Sequence, residues 1–456
     1  MKRARAAAWR LVAAAGMLAT AAHASATTTA PPGLSGFEQL TLDNGMRVLL
    51  GTPARPVAFT EALLLVQAGT SSPGHGQEER AKIVAEAFLG GRLADDKATI
   101  KRHLARAGVT LDYTVGREVA VFRFAVPTRN TASFLRFLTA LLVRESLGEE
   151  AWREAVARRQ QAGAREQADT WRRSLDALED LVWQAPAAGA PPAGPDPLTA
   201  LDLSSLEAFR SSTYAPDRMV LCLWGDTPIS KLREMVRQEI GRVRGRPRRD
   251  PAPEVLEPVL KTAGGLKCIQ ASGAEPPVLL FAVGAELEDD RSFYGWQLVA
   301  HILGASHASR LHDRLRVREP FVYTVEASCT PVGSRGLTLH ISAQTDALEP
   351  AREAIAEEVQ RLLDEEVSRE EFDLARAIFR SRLLLDQGSF RDQFYRRALS
   401  LLSSRPQRDL DRGEEALNAL TPASLRSILR RTLRPESTTI VVVSAKEEAL
   451  CQRGSS

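Results

Sequence analysis

Histidines and cysteines, the side chains that most often hold zinc, are few and scattered in this sequence. Seven histidines, His23, His75, His103, His301, His307, His312 and His340, are spread along the chain. A zinc site needs three or four His, Cys, Asp or Glu side chains at one point, which on a helix means residues four apart on one face. His307 and His312 stand five apart, a spacing that does not stack on a helix face, and no cysteine or carboxylate has ligand spacing with them. The four cysteines, Cys222, Cys268, Cys329 and Cys451, form no close CxxC pair that would indicate zinc or redox work. Cys222 and Cys329 lie in apolar, β-branched runs, which predicts buried strand thiols. One disulfide is compatible with the sequence, and whether Cys268 pairs with Cys329 is left open. No Ser/His/Asp, Cys/His or phosphate-loop pattern stands out.

The elements that must position any site alternate in α+β style. Phe37 to Leu50 alternates and turns at Asp43-Asn44-Gly45, a strong hairpin signal. A strand at 58–66 follows, then helices at 78–93 and 97–107 and paired strands at 109–114 and 119–127. Helices are expected at 131–145 and 149–183. A Pro/Ala/Gly-rich stretch from Ala185 to Pro197 reads as loop. A short helix at 206–212, a strand at 219–224 and a helix at 229–241 complete this half. Between Arg242 and Pro258 the composition turns to Arg, Pro and Glu without periodicity, as in an interdomain linker. The second half repeats the order: a strand at 278–283, helices at 291–303 and 309–316, strands at 322–329 and 337–344. Helices at 349–364, 368–386, 390–402 and 425–432 and a strand at 438–443 end it. Two halves with one element order suggest an internal duplication, with units at 36–241 and 259–447 joined by 242–258.

The chain has 456 residues, 44% hydrophobic and 26% charged, enough for large buried cores. The formal net charge is +3, and Lys2, Arg3, Arg5 and Arg10 supply four positives, so that without them it is −1. Such balance argues against nucleic-acid or anionic-membrane binding, which needs a concentrated basic face. Those four lie in a three-part leader at 1–26: a charged start, an apolar stretch from Leu11 to Ala22, and small residues at Ala22-His23-Ala24. This is the pattern of a signal peptide, too short in its apolar part to span a bilayer comfortably, and predicts export to a periplasm or the outside.

Three stretches carry a resemblance: Leu42-Asp43-Asn44-Gly45-Met46-Arg47-Val48; Tyr214-Ala215-Pro216-Asp217-Arg218-Met219-Val220 with Gly225-Asp226; and Leu303-Gly304 through Ser309-Arg310-Leu311 to Leu315-Arg316 with Tyr323-Thr324-Val325. In order and spacing they resemble the pitrilysin/insulinase family of zinc metallopeptidases over about residues 36 to 446. The resemblance implies two homologous α+β sandwich domains per chain, with a second such pair closing around an unfolded peptide. In short-chain members the second pair is another subunit.

The family's chemistry uses H-x-x-E-H on a helix, two histidines gripping zinc and a glutamate serving as base. The matching stretch here is Ile83-Val84-Ala85-Glu86-Ala87, with Glu86 alone retained. The third ligand of the family, a Glu seven residues after another Glu, falls on Gln161 after Glu154. Aliphatic side chains cannot ligate a metal and an amide is a poor substitute for a carboxylate, so no metal is expected in this chain. Ile83 and Ala87 are read as part of an apolar face with Val84 and Phe88, and Glu86 as a solvated helix residue. The family's substrate-edge pattern falls on Leu111-Asp112-Tyr113-Thr114, without its Asn and Ala.

By contrast Arg316 and Tyr323, seven apart, match the family's Arg/Tyr pair, which comes from the half or subunit without metal and reaches the substrate carbonyl. Guanidinium and phenol are donors suited to a developing oxyanion. The resemblance thus implies a non-catalytic subunit of an exported heterodimeric peptidase, with zinc in a homologous H-x-x-E-H-bearing partner and extended peptide as substrate. The alternative is a stand-alone peptidase-derived peptide-binding or scaffold protein with no chemistry.

Overall fold

The computed structural model describes residues 34–451 apart from 71–76, 92–98, 185–201, 246–258, 403–409 and some single or paired positions. The leader at 1–26, His23, His75, the Pro/Ala/Gly-rich stretch and most of the expected linker therefore lie outside the described residues.

The hairpin forms where the sequence indicates. Strands β1 (Leu34–Thr41) and β2 (Arg47–Pro53) pair antiparallel about the turn, with Gly45 at φ +87°. A side chain there would be strained in backbone and would meet Asp217 Cβ at 2.9 Å. Asn44 donates both amide hydrogens outward, to the carbonyls of Ile240 and Val243 at 2.9 Å each, pinning the turn to a distant helix end. Strand β3 (Phe59–Val66), helices α1 (Gln77–Phe88) and α2 (Ile100–Arg106), and strands β4 (Thr110–Val115) and β5 (Ala120–Pro127) follow. The half continues through α3 (Thr131–Leu142), α4 (Glu149–Ala168), α5 (Thr170–Val182), a two-residue β6 (Trp183–Gln184), α6 (Leu203–Thr213), β7 (Met219–Gly225) and α7 (Ile229–Glu239). The single helix expected over 149–183 is thus two.

The second half holds β8 (Val259–Leu260), β9 (Leu266–Gln270), β10 (Val278–Glu286), α8 (Asp290–Leu303) and the short turn α9 (Arg310–His312), which widens into a π-helix over Asp313–Arg318. Then come β11 (Thr324–Val332), β12 (Gly336–Gln344), α10 (Leu348–Asp364), α11 (Arg369–Gln387), α12 (Phe390–Leu402), α13 (Leu410–Asn418), α14 (Pro422–Thr432) and β13 (Thr439–Ser444). Helix α14 begins three residues before its apolar periodicity because Thr421 and Ser424 form a capping box with Pro422 at the first position. Strand β9 and helix α13 have no counterpart in the periodicity reading: β9 is mostly exposed at a sheet edge, and α13 is a short, charge-rich helix that sends Ala416 and Leu417 into the core.

The duplication is visible in the sheets. The first runs β1-β2-β7-β3-β5-β4 and the second β11-β12-β10-β13-β9. Reversing the second superposes β4 on β11, β5 on β12, β3 on β10, β7 on β13 and β2 on β9. Directions agree as well: β2 with β7 and β9 with β13 are the parallel pairs, and the others are antiparallel. The fold is α+β with two homologous sheet-and-helix units.

Each sheet is covered on both faces, which explains why β7, and β3 from Ala62 to Val66, are apolar without alternation. One face of the first sheet packs on α1, α3, α4, α6 and α7. Its other face, formed by Leu49, Leu63, Leu65, Val121, Val220, Cys222 and Trp224, is covered by Phe394, Ala398, Leu399 and Leu402 of α12, a helix of the second half. Reciprocally, α5 of the first half lays Ala177, Leu178 and Val182 on Leu280, Ala282, Val441 and Val443 of the second sheet, and Trp183 Nε1 donates to Thr338 Oγ1 at 2.7 Å. The sheets are separated along the sequence, but each half lends the other a helix.

Cys222 and Cys329 are buried in strands as free thiols, as their surroundings predict. The open question of Cys268 resolves to a bond with Cys451, tying the edge strand β9 to the chain beyond β13. A constraint across 183 residues mainly restricts the unfolded chain. Cys268→Ser is therefore expected to lower stability by about 2–4 kcal/mol in urea denaturation, with the wild type losing the same amount under reductant.

Candidate functional site

Helix α1 turns Ile83, Val84, Ala87 and Phe88 into the first core, with Ile83 and Ala87 inaccessible to solvent. The two positions that would bear histidines are thus packing residues, as expected. Glu86 departs from expectation: it is buried rather than solvated. Lys101 Nζ, from α2, donates to its Oε1 at 3.0 Å, and Arg158 Nε, from α4, lies 3.0 Å from the same oxygen. The Tyr113 hydroxyl, from the edge strand β4, donates to Oε2. Burial acts to raise the Glu86 pKa, but the Tyr113 hydrogen bond and the charges of Lys101 and Arg158 outweigh it, and the net shift is downward. Burial and the same carboxylate hold the Tyr113 phenol well above its ordinary value.

This arrangement does not fit zinc. Ile83 and Ala87 offer no donor, Gln161 is exposed on α4, and Glu86 is already neutralised by an ammonium and a guanidinium where the family would place a metal cation. Arg158 stands one turn before Gln161 and is itself held by Glu154 at 2.5 Å. Among the described residues no group of three His, Cys, Asp or Glu side chains could hold a metal ion. Sequence reasoning missed Lys101 and Arg158 because both are ordinary helix-surface residues by type; only the fold brings α2 and α4 to α1. At the edge strand, Asp112 is engaged by Arg123 at 3.4 Å across β4 and β5.

In the second half, Arg316 lies in the middle of the π-helix with its side chain exposed and, among the described residues, without a hydrogen-bond or ion-pair partner. The wide turn is anchored by Arg314, which pairs with Glu357 at 2.5 Å, with the buried Glu358 at 3.3 Å and with Glu319 at 3.5 Å. The Leu315 carbonyl accepts from the amides of Phe321 and Val322 at 3.0 and 3.2 Å, closing the loop of Pro320 and Phe321 back on the π-helix. Tyr323, the residue before β11, is 53% exposed, and its hydroxyl donates to Asp346 Oδ2 at 2.7 Å. That carboxylate raises the phenol pKa, so the hydroxyl stays protonated and a donor. Arg316 and Tyr323 flank one loop beside an unpaired sheet edge, and neither bonds to the other. Among the described residues, the hydrogen bonds and ion pairs of Glu86 stay within the first half. The arrangement offers two exposed donors to something outside the chain, and a carboxylate shut away from it.

His301 is buried in α8, where burial lowers its pKa and the Gln297 carbonyl takes its Nδ1 at 2.9 Å. His103 stacks on Phe137 at 5.2 Å, and burial lowers the His340 pKa to about 4. His307 and His312, by contrast with their helical spacing, do meet: Nδ1 of the first lies 3.0 Å from Nε2 of the second.

Comparison with known proteins agrees with the resemblance carried by the sequence motifs. Residues 200–379 match the family model described as Peptidase M16 inactive domain, M16 being the pitrilysin group. No curated protein matches the sequence. A protease from Helicobacter pylori has a similar structure, with a TM-score of 0.74 at 15% identity over 90% of this chain and 100% of its own. A peptidase M16 inactive domain from Pseudomonas fluorescens gives 0.72 at 16% over 90% and 98%. The first half of the periplasmic protease PqqL from Escherichia coli gives 0.72 at 16% over 92% and 94%. At such identities the likeness is one of fold. Over residues 200–379 the chain is thus similar to the M16 inactive domain, and over its described length it shares the fold of these proteins.

Proposed function

We propose that this M16-type chain is the zinc-free subunit of an exported heterodimeric peptidase, completed by a homologous partner that bears H-x-x-E-H. The observation that carries the reading is the contrast between the two halves. Glu86, the one residue of the metal motif that is retained, is occupied by Lys101, Arg158 and Tyr113, while Arg316 and Tyr323 are exposed donors on an anchored loop. In this reading the partner supplies zinc and base. This chain supplies half of the peptide-holding chamber and the guanidinium and phenol that meet charge developing on the substrate carbonyl, a task for preorganised donors. Tyr323 then exchanges Asp346 for the substrate oxygen. The free edges of β4 and β11 are suited to extended peptide through main-chain hydrogen bonds, which depend little on side-chain identity. The Cys268–Cys451 bond supports an oxidising compartment, in keeping with the leader at 1–26.

The test is peptide cleavage and zinc content of the purified mature chain, alone and mixed with a candidate partner. Cleavage and stoichiometric zinc only in the mixture are the expected result; zinc and cleavage from this chain alone would overturn the reading, and failure to associate would move the chain to the stand-alone scaffold class. Within the mixture, Arg316→Ala is expected to lower kcat by about 10²–10³-fold with little change in assembly, the usual cost of an oxyanion donor. An unchanged kcat would remove Arg316 from the chemistry.

A further inference from the structure

We propose that His307 and His312 form a two-histidine chelate for a divalent transition-metal ion, copper(II) foremost, at the start of α9. The spacing of five defeats a helical reading because the two residues are not on one helix. His307 is in a tight turn in which the Ser306 carbonyl accepts from the amide of Ser309 at 3.2 Å and from its hydroxyl at 2.6 Å. Ser309 then begins the helix, its carbonyl accepting from the Asp313 amide at 2.9 Å, and His312 is on that first turn. Reversal of the chain followed by one helical turn returns His312 to His307, with ring centroids 4.8 Å apart and planes at 77°.

Three features make the pair a chelate rather than a chance contact of rings. The platform is fixed: Arg310, between the two histidines, grips Glu371 of α11 through two bonds of 2.7 and 3.1 Å, and Leu311 is fully buried. His312 turns its Nδ1 into the protein, where it is buried and has no hydrogen-bond partner, so Nε2 is the nitrogen left to face outward. His307 is exposed, so its ring can turn to bring both lone pairs onto one ion.

The choice of metal follows from the donors. Imidazole suits zinc, copper, iron and nickel, and among divalent ions the Irving–Williams order puts copper first. The two nitrogens, 3.0 Å apart as a hydrogen-bonded pair, come to one ion by a turn of the exposed His307 ring. No third His, Cys, Asp or Glu converges here among the described residues, so the remaining positions belong to solvent or to a ligand brought by another molecule. The site is independent of the family's zinc position, which is in the other half, and of the function proposed above.

The test is titration of copper(II) into the full mature chain without a polyhistidine tag, followed by calorimetry and by the nitrogen couplings in its electron paramagnetic resonance spectrum. The chain is expected to bind one strong equivalent with two imidazole nitrogens. Either His307→Ala or His312→Ala should weaken it by about tenfold or more, because the second imidazole acts as a tethered ligand at high effective concentration. His103→Ala should leave it unchanged. His307 is exposed, so its variant tests the site without disturbing the core. Equal affinity and stoichiometry in all four proteins would overturn the proposal, and tighter binding of zinc than of copper would overturn its choice of metal.

Discussion

Glu86→Gln is expected to lower the unfolding free energy by about 1–2 kcal/mol at pH 7, although glutamine fills the same space. The neutral amide loses the attraction of the Lys101 ammonium and the Arg158 guanidinium to a buried carboxylate. Lys101 and Arg158 are partly exposed and Arg158 keeps Glu154, so solvent and that second carboxylate recover part of the loss, and the figure lies below that for a fully buried pair. The same interactions lower the Glu86 pKa below its ordinary value near 4.5. A carboxyl depressed in the folded state contributes stability that is complete above the unfolded pKa and disappears as pH falls through the folded one. The difference between wild type and variant should therefore be full at neutral pH and shrink on acidification below about 4.5. Urea denaturation at pH 7 and at pH 3.5 measures both. A difference that is small at pH 7, or the same at both, would mean that the carboxylate is not held as described.

Phe394→Ala in α12 is expected to cost about 3–5 kcal/mol, the range for emptying a buried aromatic site. Phe394 is almost wholly buried, stacks on Trp224 of β7 at 4.8 Å and tilts against Phe37 of β1 at 5.9 Å. It is therefore a second-half residue whose loss is felt in the first sheet. Hydrogen exchange should show faster opening of β2, β3 and β7 than of β10 and β12, although residue 394 follows the latter two in sequence. If protection instead falls around α11 and α14 alone, α12 belongs energetically to its own half and the exchange of helices carries little stability.

Much of this architecture was legible from periodicity and turn chemistry. The Asp43-Asn44-Gly45 hairpin, the pairing of 109–114 with 119–127 and the repeated element order all follow from local rules and appear in the sheets with shifts of about three residues at most at the paired strands. The loss of metal ligands at Ile83 and Ala87 was equally plain, since side-chain type alone decides it. What sequence could not show is where non-neighbours meet. Glu86 looks solvated on a helical wheel because its partners come from α2, β4 and α4, up to 72 positions away in the case of Arg158. His307 and His312 looked too far apart because the reading assumed one helix where there is a turn and then a helix. The lending of α5 and α12 between halves has no local signature either, since an amphipathic helix does not state which sheet it will cover.

That exchange has a consequence for the order in which the chain can mature. The Cys222 thiol and the Phe394 carbonyl it meets are 172 residues apart. Whichever way the chain is delivered, the outer face of the first sheet has no cover until Phe390–Leu402 has arrived. Until then a sheet formed by the first half alone would present Leu49, Leu63, Leu65 and Val121 uncovered, the kind of exposed apolar strand face that aggregates. The first half therefore cannot mature as it emerges and must be kept open until the second has arrived. A chain interrupted anywhere before residue 390 remains permanently in this state, a client for holding chaperones and proteases rather than a smaller working unit.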